Sequence, residues 1–147
     1  MKTITRSALV EHAAVQMYAL VDDIEAYPRF LPWCLEARVQ QSGARKCATL
    51  TAGLRGIRQS FTTENENQSG RAIVMRLVEG PFQQFSAAWR FTPLAEHACQ
   101  IEFSMRYQFA SRALAKLLEP LFNHIADTMV DAFTRRADEL HGGRAAP

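Results

Sequence analysis

A strict alternation of apolar and polar residues runs from Cys99 to Phe109. Apolar side chains occupy every odd position of this stretch, and polar side chains occupy every even one. Because successive side chains of a strand point to opposite faces, the alternation predicts a strand with one apolar and one polar face. At about 3.3 Å per residue the strand would run roughly 36 Å, about twice the usual length. We expect a strand of this length to curve.

A helical pattern follows from Ser111 to Leu140. Its apolar residues recur at three-, four- and seven-residue spacings, which places them on one stripe of a helix. They are Leu114, Leu118, Leu121, Ile125, Met129, Phe133 and Leu140. A helix of this length spans about 45 Å at 1.5 Å per residue, enough to cover the apolar face of a sheet. Pro120 lies inside the stripe and should cost an interior helix roughly 3 kcal/mol, so we expect a kink or break near Leu118–Glu119.

Weaker patterns fill the rest of the chain. Thr3–Val10 alternates as a first strand. Helical spacing from about Ala13 to Ile24 ends before Tyr27-Pro28, because the residue before a proline avoids helical backbone angles. From Glu36 onward, short alternating runs predict further strands. They are separated by turn residues at Ser42-Gly43, Gly53–Gly56, Asn65–Gly70 and Glu79–Phe82, and by Pro93.

The order of these elements predicts the fold class. It is a strand, one or two short helices, six more strands and a long helix. Strands joined by short turns form an antiparallel sheet, and the apolar face of that sheet must be covered. We therefore predict an α+β helix-grip fold, a curved antiparallel sheet of about seven strands wrapped around the C-terminal helix. We expect one domain over residues 1–141 and a flexible tail over 142–147.

Composition and charge narrow the function. The 147 residues are 48% hydrophobic and 22% charged, as in an ordinary globular protein. The net charge of +2 is too small to argue by itself for nucleic acid or an anionic membrane, and we expect no DNA partner. Three cysteines without a Cys-x-x-Cys spacing, and no cationic apolar leader, favour a reducing cytoplasm. No apolar run approaches the roughly 20 residues of a membrane span.

The sequence contains no catalytic or metal-binding pattern. None of the four histidines lies in a metal-binding pair. They are His12, His97, His124 and His141. His124 falls on the C-terminal helix near the expected cavity, but a satisfied or solvent-edge histidine is more frequent than a general base. Cys34 beside Trp33 has the chemistry of a nucleophile, but a buried thiol usually acts as a small hydrophobe. We expect a protein that is not an enzyme and holds no metal.

The segment Tyr27–Cys34 packs three aromatic rings, a leucine and two prolines into eight residues. Prolines exclude a regular strand, so the segment is at most a short helix, and we expect a lid or plug. Three further pieces of the sequence are also distinctive. They are Phe61–Thr63, Leu77–Phe82 with Trp89–Phe91, and Met129–Ala137.

With these four pieces in this order, the chain resembles the START-like polyketide cyclase/dehydrase superfamily over nearly its whole length. It resembles most closely the branch that contains the bacterial ribosome-association toxins and the mitochondrial coenzyme Q-binding proteins. The resemblance implies a helix-grip fold with an apolar cavity that binds an isoprenoid quinone, such as ubiquinone, in support of respiration or quinone synthesis. For the toxin relatives it implies a block on the joining of ribosomal subunits, with the large subunit as partner. Ala87, Ala88 and Glu64 depart from the family pattern, and Glu64 weakens the case for a basic RNA-facing surface.

The candidate ligand-binding residues share one property, which is a large apolar or aromatic side chain on the expected inner surface. They are Tyr27, Phe30, Leu31, Trp33, Phe61, Met75, Phe82, Phe85, Trp89, Phe91, Phe103, Tyr107, Leu121, Ile125 and Met129. Taken singly, each is ordinary core, and only the excess of rings on one face favours a cavity. Trp89 and Tyr107 carry polar tips that can meet a ring carbonyl. Exposed rings near Trp33 and the Glu79–Phe82 turn are expected at the cavity mouth.

Three functions remain open from the sequence. The first is non-catalytic holding of an isoprenoid quinone or another lipid between the sheet and the C-terminal helix. The second is a ribosome-binding inhibitor of translation, whose binding depends on salt because phosphate contacts dominate it. The third, a polyketide cyclase or dehydrase, ranks last because no acid–base pair can be assigned and a fold does not settle a function. We expect a cytoplasmic protein with transient contact at the inner-membrane surface.

Overall fold

The computed structural model describes residues 1–142, which form seven strands and three helical segments. The strands are β1 (Lys2–Val10), β2 (Cys34–Ser42), β3 (Arg45–Leu54), β4 (Ile57–Gln68), β5 (Ala72–Glu79), β6 (Phe82–Ala95) and β7 (Ala98–Phe109). The helices are α1 (Ala14–Asp22), a 3-10 helix (Ile24–Arg29) and α2 (Arg112–His141). Apart from Gly142, the predicted flexible tail lies outside the described residues.

All seven strands belong to one antiparallel sheet. Its order is β1-β7-β6-β5-β4-β3-β2, so consecutive strands are neighbours from β2 to β7. The first strand joins the far edge, where Lys2 pairs with Tyr107 and Val10 pairs with Cys99. This arrangement confirms the predicted fold class, a curved sheet held around a long C-terminal helix.

The core lies between the inner face of the sheet and the apolar stripe of α2. The odd positions of β7 are buried and its even positions face outward, as the alternation predicts. On α2, Phe133 is fully buried and its ring lies 5.2 Å from Trp89 and 5.3 Å from Tyr27, centroid to centroid. The stripe of α2 therefore packs directly on the rings of the sheet.

The strand β6 continues past the point where its apolar face was expected to end. Pro93 lies inside it, and the strand ends at Ala95. Beyond Phe91 this strand pairs with β7 alone, and the pairing shifts register between Pro93 and Ala95. At Pro93 the strand β6 has only β7 as a neighbour, so it tolerates the missing backbone N–H of the proline.

The helix α2 is continuous, and the break expected near Leu118–Glu119 is wrong. Pro120 lies inside the helix and is exposed, and so is Lys116, whose carbonyl loses its helical partner. Water can reach that carbonyl, so the helix tolerates the proline without breaking. The N-terminus is fixed by Ser111, whose Oγ accepts a hydrogen bond from the Leu114 backbone N–H at 3.1 Å.

The aromatic segment after α1 belongs to the core and is not a lid with exposed rings. Tyr27, Leu31 and Trp33 are all buried, and Trp33 is only 2% exposed. The Tyr27 hydroxyl donates a hydrogen bond to the Val21 carbonyl, and the Trp33 carbonyl accepts from the Gly53 N–H at 2.8 Å. These bonds hold the segment against α1 and β3. The expectation of exposed rings around Trp33 is therefore wrong. It is wrong for the Glu79–Phe82 turn as well, because Phe82 is buried.

We expect the Pro120→Ala substitution to raise the free energy of unfolding by about 2 kcal/mol. Alanine restores the hydrogen bond to the Lys116 carbonyl, and part of the gain is offset because proline restricts the unfolded chain. Urea unfolding followed by circular dichroism measures the change. Ser111→Ala is the opposite control and should lower the stability by about 1 kcal/mol through loss of the cap. A Pro120→Ala protein no more stable than the parent would contradict this account of the helix.

Candidate functional site

A small apolar cavity lies between the inner face of the sheet, the segment 21–33 and α2. Its lining residues come from all three parts. They are Val21, Ile24, Tyr27, Trp33, Ala48, Leu50, Phe61, Thr63, Asn65, Ile73, Met75, Phe85, Ala87, Trp89, Phe103, Met105, Phe122, Ile125 and Met129. Strand alternation explains the choice, because every second residue of β3 to β7 points inward. The cavity is therefore a property of the same face that forms the core.

The volume of this cavity is about 50 Å³. A cavity needs about 10–15 Å³ of such space to hold one water, so this one has room for a few waters. Pockets that hold drug-sized ligands measure about 300–1,000 Å³. The protein's own side chains thus fill most of the expected pouch, and a quinone ring needs some of them to move.

Aromatic rings do most of the filling. The ring of Trp89 lies 5.0 Å from Phe103, and the ring of Phe61 lies 5.6 Å from Phe122. Three methionines also line the space, on β5, β7 and α2. They are Met75, Met105 and Met129. Methionine side chains are unbranched and adapt to irregular gaps, so they are the lining groups that can move most readily.

The structure brings nine of the fifteen candidate residues together around this cavity. They are Tyr27, Trp33, Phe61, Met75, Phe85, Trp89, Phe103, Ile125 and Met129. The other six do not line it. They are Phe30, Leu31, Phe82, Phe91, Tyr107 and Leu121. A role in ligand binding remains a prediction for all fifteen.

Two of the residues outside the cavity, Phe82 and Tyr107, belong to an aromatic cluster that adjoins the cavity through Phe122. Phe82 stacks on Phe109 at 5.2 Å and meets Phe122 edge-on at the same distance. The Tyr107 hydroxyl is enclosed and has no hydrogen-bond partner within residues 1–142. Burial, with a smaller contribution from the Glu119 carboxylate, raises the pKa of Tyr107 to about 12. Tyr107 does not line the cavity, so its polar tip is not among the groups of the cavity wall.

Sequence reasoning missed ten lining residues. They are Val21, Ile24, Ala48, Leu50, Thr63, Asn65, Ile73, Ala87, Met105 and Phe122. The predicted residues are mostly aromatic, whereas most of the missed side chains are small or aliphatic. Alternation along β4 holds a signal for two of them, because Thr63 and Asn65 follow Phe61 on the same face.

Thr63 and Asn65 form a buried polar pair in the otherwise apolar wall. They are 5% and 6% exposed, and the Thr63 hydroxyl donates a hydrogen bond to the Asn65 side-chain oxygen at 2.8 Å. No carboxylate, histidine, cysteine, lysine or arginine lines this cavity within the described part of the chain. Among the described residues, Tyr27 is the only ionisable group that lines it.

The histidines and cysteines lie outside the cavity. His12, 2% exposed, bonds through its Nε2 to an Asp138 carboxylate oxygen at 2.7 Å and joins the end of β1 to α2. His124 lines a separate surface groove along α2. Burial raises the pKa of Cys34 to about 11, so at neutral pH it is a thiol and a weak nucleophile. Among residues 1–142, no group of three or more His, Cys, Asp or Glu side chains could hold a metal ion.

Residues 1–142 include no helix with both the length and the apolar character needed to cross a bilayer.

We expect Ala87→Val to raise the free energy of unfolding by about 1 kcal/mol, because two added methyl groups fill the cavity and valine suits a strand. Ala87 faces the space between Met75 and Met105. Thermal and urea unfolding measure the effect. Ala137→Val is the matched control at a fully buried helix position outside the cavity, and overpacking there should cost about 1–3 kcal/mol. Equal losses in both variants would mean that no usable space exists beside Ala87.

Comparison with known proteins agrees with this architecture. Over 145 residues the chain is 40% identical to the Ribosome association toxin RatA of Escherichia coli, covering 98% of this chain and 92% of that protein. It is 24% identical to the mitochondrial Coenzyme Q-binding protein COQ10 homolog B of Xenopus laevis, covering 97% of this chain and 61% of that protein. The crystal structure of the Zhui aromatase/cyclase from a Streptomyces species shares the fold, with a TM-score of 0.81, 15% identity and 93% of each chain covered. The family described as polyketide cyclase/dehydrase and lipid transport matches residues 10–134, and the chain belongs to that family.

Proposed function

We propose that this chain acts without catalysis, by associating with the large ribosomal subunit and thereby restraining translation in the cytoplasm. The observation that carries the proposal is the 40% identity, over 98% of the chain, to a protein named Ribosome association toxin RatA. Such similarity extends over the sheet and the helical segments, so it concerns the whole fold and not one motif.

The cavity supports placing the action on the surface. Its volume of about 50 Å³ provides no preformed pocket for a substrate. Its one ionisable lining group, Tyr27, is held neutral because burial and the nearby Asp22 carboxylate raise the pKa of its hydroxyl. Acid–base chemistry of the cyclase type needs groups that exchange protons near neutral pH. The likeness to an aromatase/cyclase at 15% identity concerns the fold alone.

The outer face of the sheet carries hydrogen-bond donors that support this proposal. Arg76, Ser86 and Arg106 lie side by side across β5, β6 and β7. They line a shallow open depression together with Gln83 and Gln84. Arg76 forms an ion pair with the Glu66 carboxylate at 3.5 Å, whereas Arg106 makes no ion pair within residues 1–142. Guanidinium, hydroxyl and amide donors of this kind bind phosphate oxygens of RNA.

We expect the protein to co-sediment with purified bacterial 50S subunits, and we expect Arg106→Glu to weaken this binding by about tenfold through loss of a charge-assisted contact. The slope of log affinity against log salt should fall by about 1. Sucrose-gradient sedimentation at several salt concentrations measures both quantities.

Arg29→Glu is the matched control for this experiment. It makes the same change of charge at an exposed arginine on the opposite side of the molecule, beside α2. This control should bind as the parent does. A parent protein that leaves 50S subunits unbound even at low salt would rule out the ribosome proposal.

A second candidate function is the holding of an isoprenoid quinone, and one observation favours it. The space between sheet and helix is lined almost wholly by apolar side chains, including three flexible methionines. The family description includes lipid transport, and a relative at 24% identity is named a coenzyme Q-binding protein. In this proposal the ligand enters from a transient contact with the membrane surface, and the methionines move to admit its ring.

We expect a short-chain ubiquinone to raise the melting temperature of the parent protein, because a ligand bound only to the folded state stabilises it. Ala87→Val, which narrows the cavity, should reduce the shift, whereas the outer-face variant Arg106→Glu should keep it. Differential scanning fluorimetry measures the shift, and mass spectrometry of organic extracts tests for quinone carried through purification. No shift together with an empty extract would remove this candidate.

A further inference from the structure

Two hydrogen-bond donors of the cavity wall have no partner among the described residues. They are the Trp33 indole nitrogen, which is fully enclosed, and the Asn65 amide nitrogen, whereas the Tyr27 hydroxyl donates to the Val21 carbonyl. Asn65 differs from both. Its side-chain oxygen accepts from Thr63, but its amide nitrogen makes no hydrogen bond with any described residue, and it is not among the fully enclosed atoms.

This unused donor is available to a ligand. Asn65 is 6% exposed, and its amide nitrogen is not sealed off from the adjoining surface pocket, so water can hydrate it until a ligand oxygen replaces that water. A leucine of similar size at this position would suit an apolar wall better. The pair Thr63 and Asn65 keeps the amide in a fixed orientation, with its nitrogen free.

Asn65 also occupies a boundary. It lies on β4 between Lys46 of β3 and Met75 of β5, at the end of the cavity nearest the C-terminus of α1. Outside it is a polar surface pocket of about 370 Å³. Asn65 is the one described residue that lines both this pocket and the apolar cavity. A ligand whose apolar part fills the cavity would bring its polar end to this amide.

The charges around Asn65 indicate a neutral polar end. The Lys46 ammonium is paired with the Asp22 carboxylate, which also accepts a hydrogen bond from the Asn67 amide at 2.7 Å. The lysine and the carboxylate therefore compensate each other, and the Glu66 carboxylate, which also lines this pocket, pairs with Arg76 at 3.5 Å. Burying an unpaired ion beside an apolar cavity is strongly unfavourable.

We infer that Asn65 is a specificity-determining residue of the cavity, whose amide N–H donates to a carbonyl oxygen of an uncharged, otherwise apolar ligand. This inference rests on the second candidate function, the holding of an apolar ligand. It adds the residue that would recognise the quinone carbonyl and distinguish a quinone from a plain hydrocarbon or a charged lipid. It also names the end of the cavity where the carbonyl lies.

A matched pair of probes tests the inference directly. Duroquinone and durene share one tetramethylated six-carbon ring, and only duroquinone has carbonyl oxygens. The parent protein should bind duroquinone roughly five- to tenfold more tightly than durene, the gain of one hydrogen bond to a buried donor. Asn65→Leu should bind the two alike, with its durene affinity unchanged. Isothermal titration calorimetry gives both dissociation constants.

Two further variants keep the result interpretable. Asn67→Leu makes the same substitution two residues along, outside the cavity, and should keep the preference for duroquinone. Thr63→Val combined with Asn65→Leu replaces both polar partners by apolar groups, so it tests the same point if the single variant folds poorly. Equal binding of the two probes by the parent, or a preference that survives Asn65→Leu, would overturn the role of Asn65 while leaving cavity binding intact. A parent protein that binds neither probe would overturn both.

Discussion

The packing of one helix on the inner face of a curved sheet governs the rest of this structure. The stripe of α2 must cover the apolar surfaces of seven strands, and a single helix about 10 Å wide cannot do so with aliphatic side chains alone. Rings close the remaining distance, as where Phe133 reaches both Trp89 and Tyr27. The segment after α1 supplies the rest of the cover, which is why Tyr27, Leu31 and Trp33 are buried.

This constraint also explains the character of the cavity. Rings and methionines chosen to fill a wide gap leave small residual spaces where their shapes do not match, and the space beside Ala87 is one of them. The fold therefore does not hold a large empty pouch at rest. Flexible side chains surround a small cavity, and one polar pair, Thr63 and Asn65, lies in its wall. On the outer face of the same sheet lie the polar side chains Arg76, Ser86 and Arg106.

The sequence predicts the architecture well because the alternation of β7 and the stripe of α2 report burial directly. It predicts Pro120 poorly, because the cost of a proline depends on whether the orphaned carbonyl of Lys116 can reach water, and local sequence does not record that. The burial of Trp33 is missed for a similar reason. It depends on a contact with β3, which is distant along the chain. The cavity size depends on how side chains from three parts of the chain fit together. No single segment encodes it, so the volume and the role of Asn65 emerge only in three dimensions.

The pairing of β1 with β7 has a consequence for synthesis of the protein. The first nine-residue strand finds its partner about a hundred residues later, where Lys2 meets Tyr107. During translation this strand therefore emerges from the exit tunnel long before the strand that completes its hydrogen bonds, and it waits as an unpaired edge. Folding of the whole sheet can finish only after β7 has left the tunnel, so β1 stays without its partner strand until then.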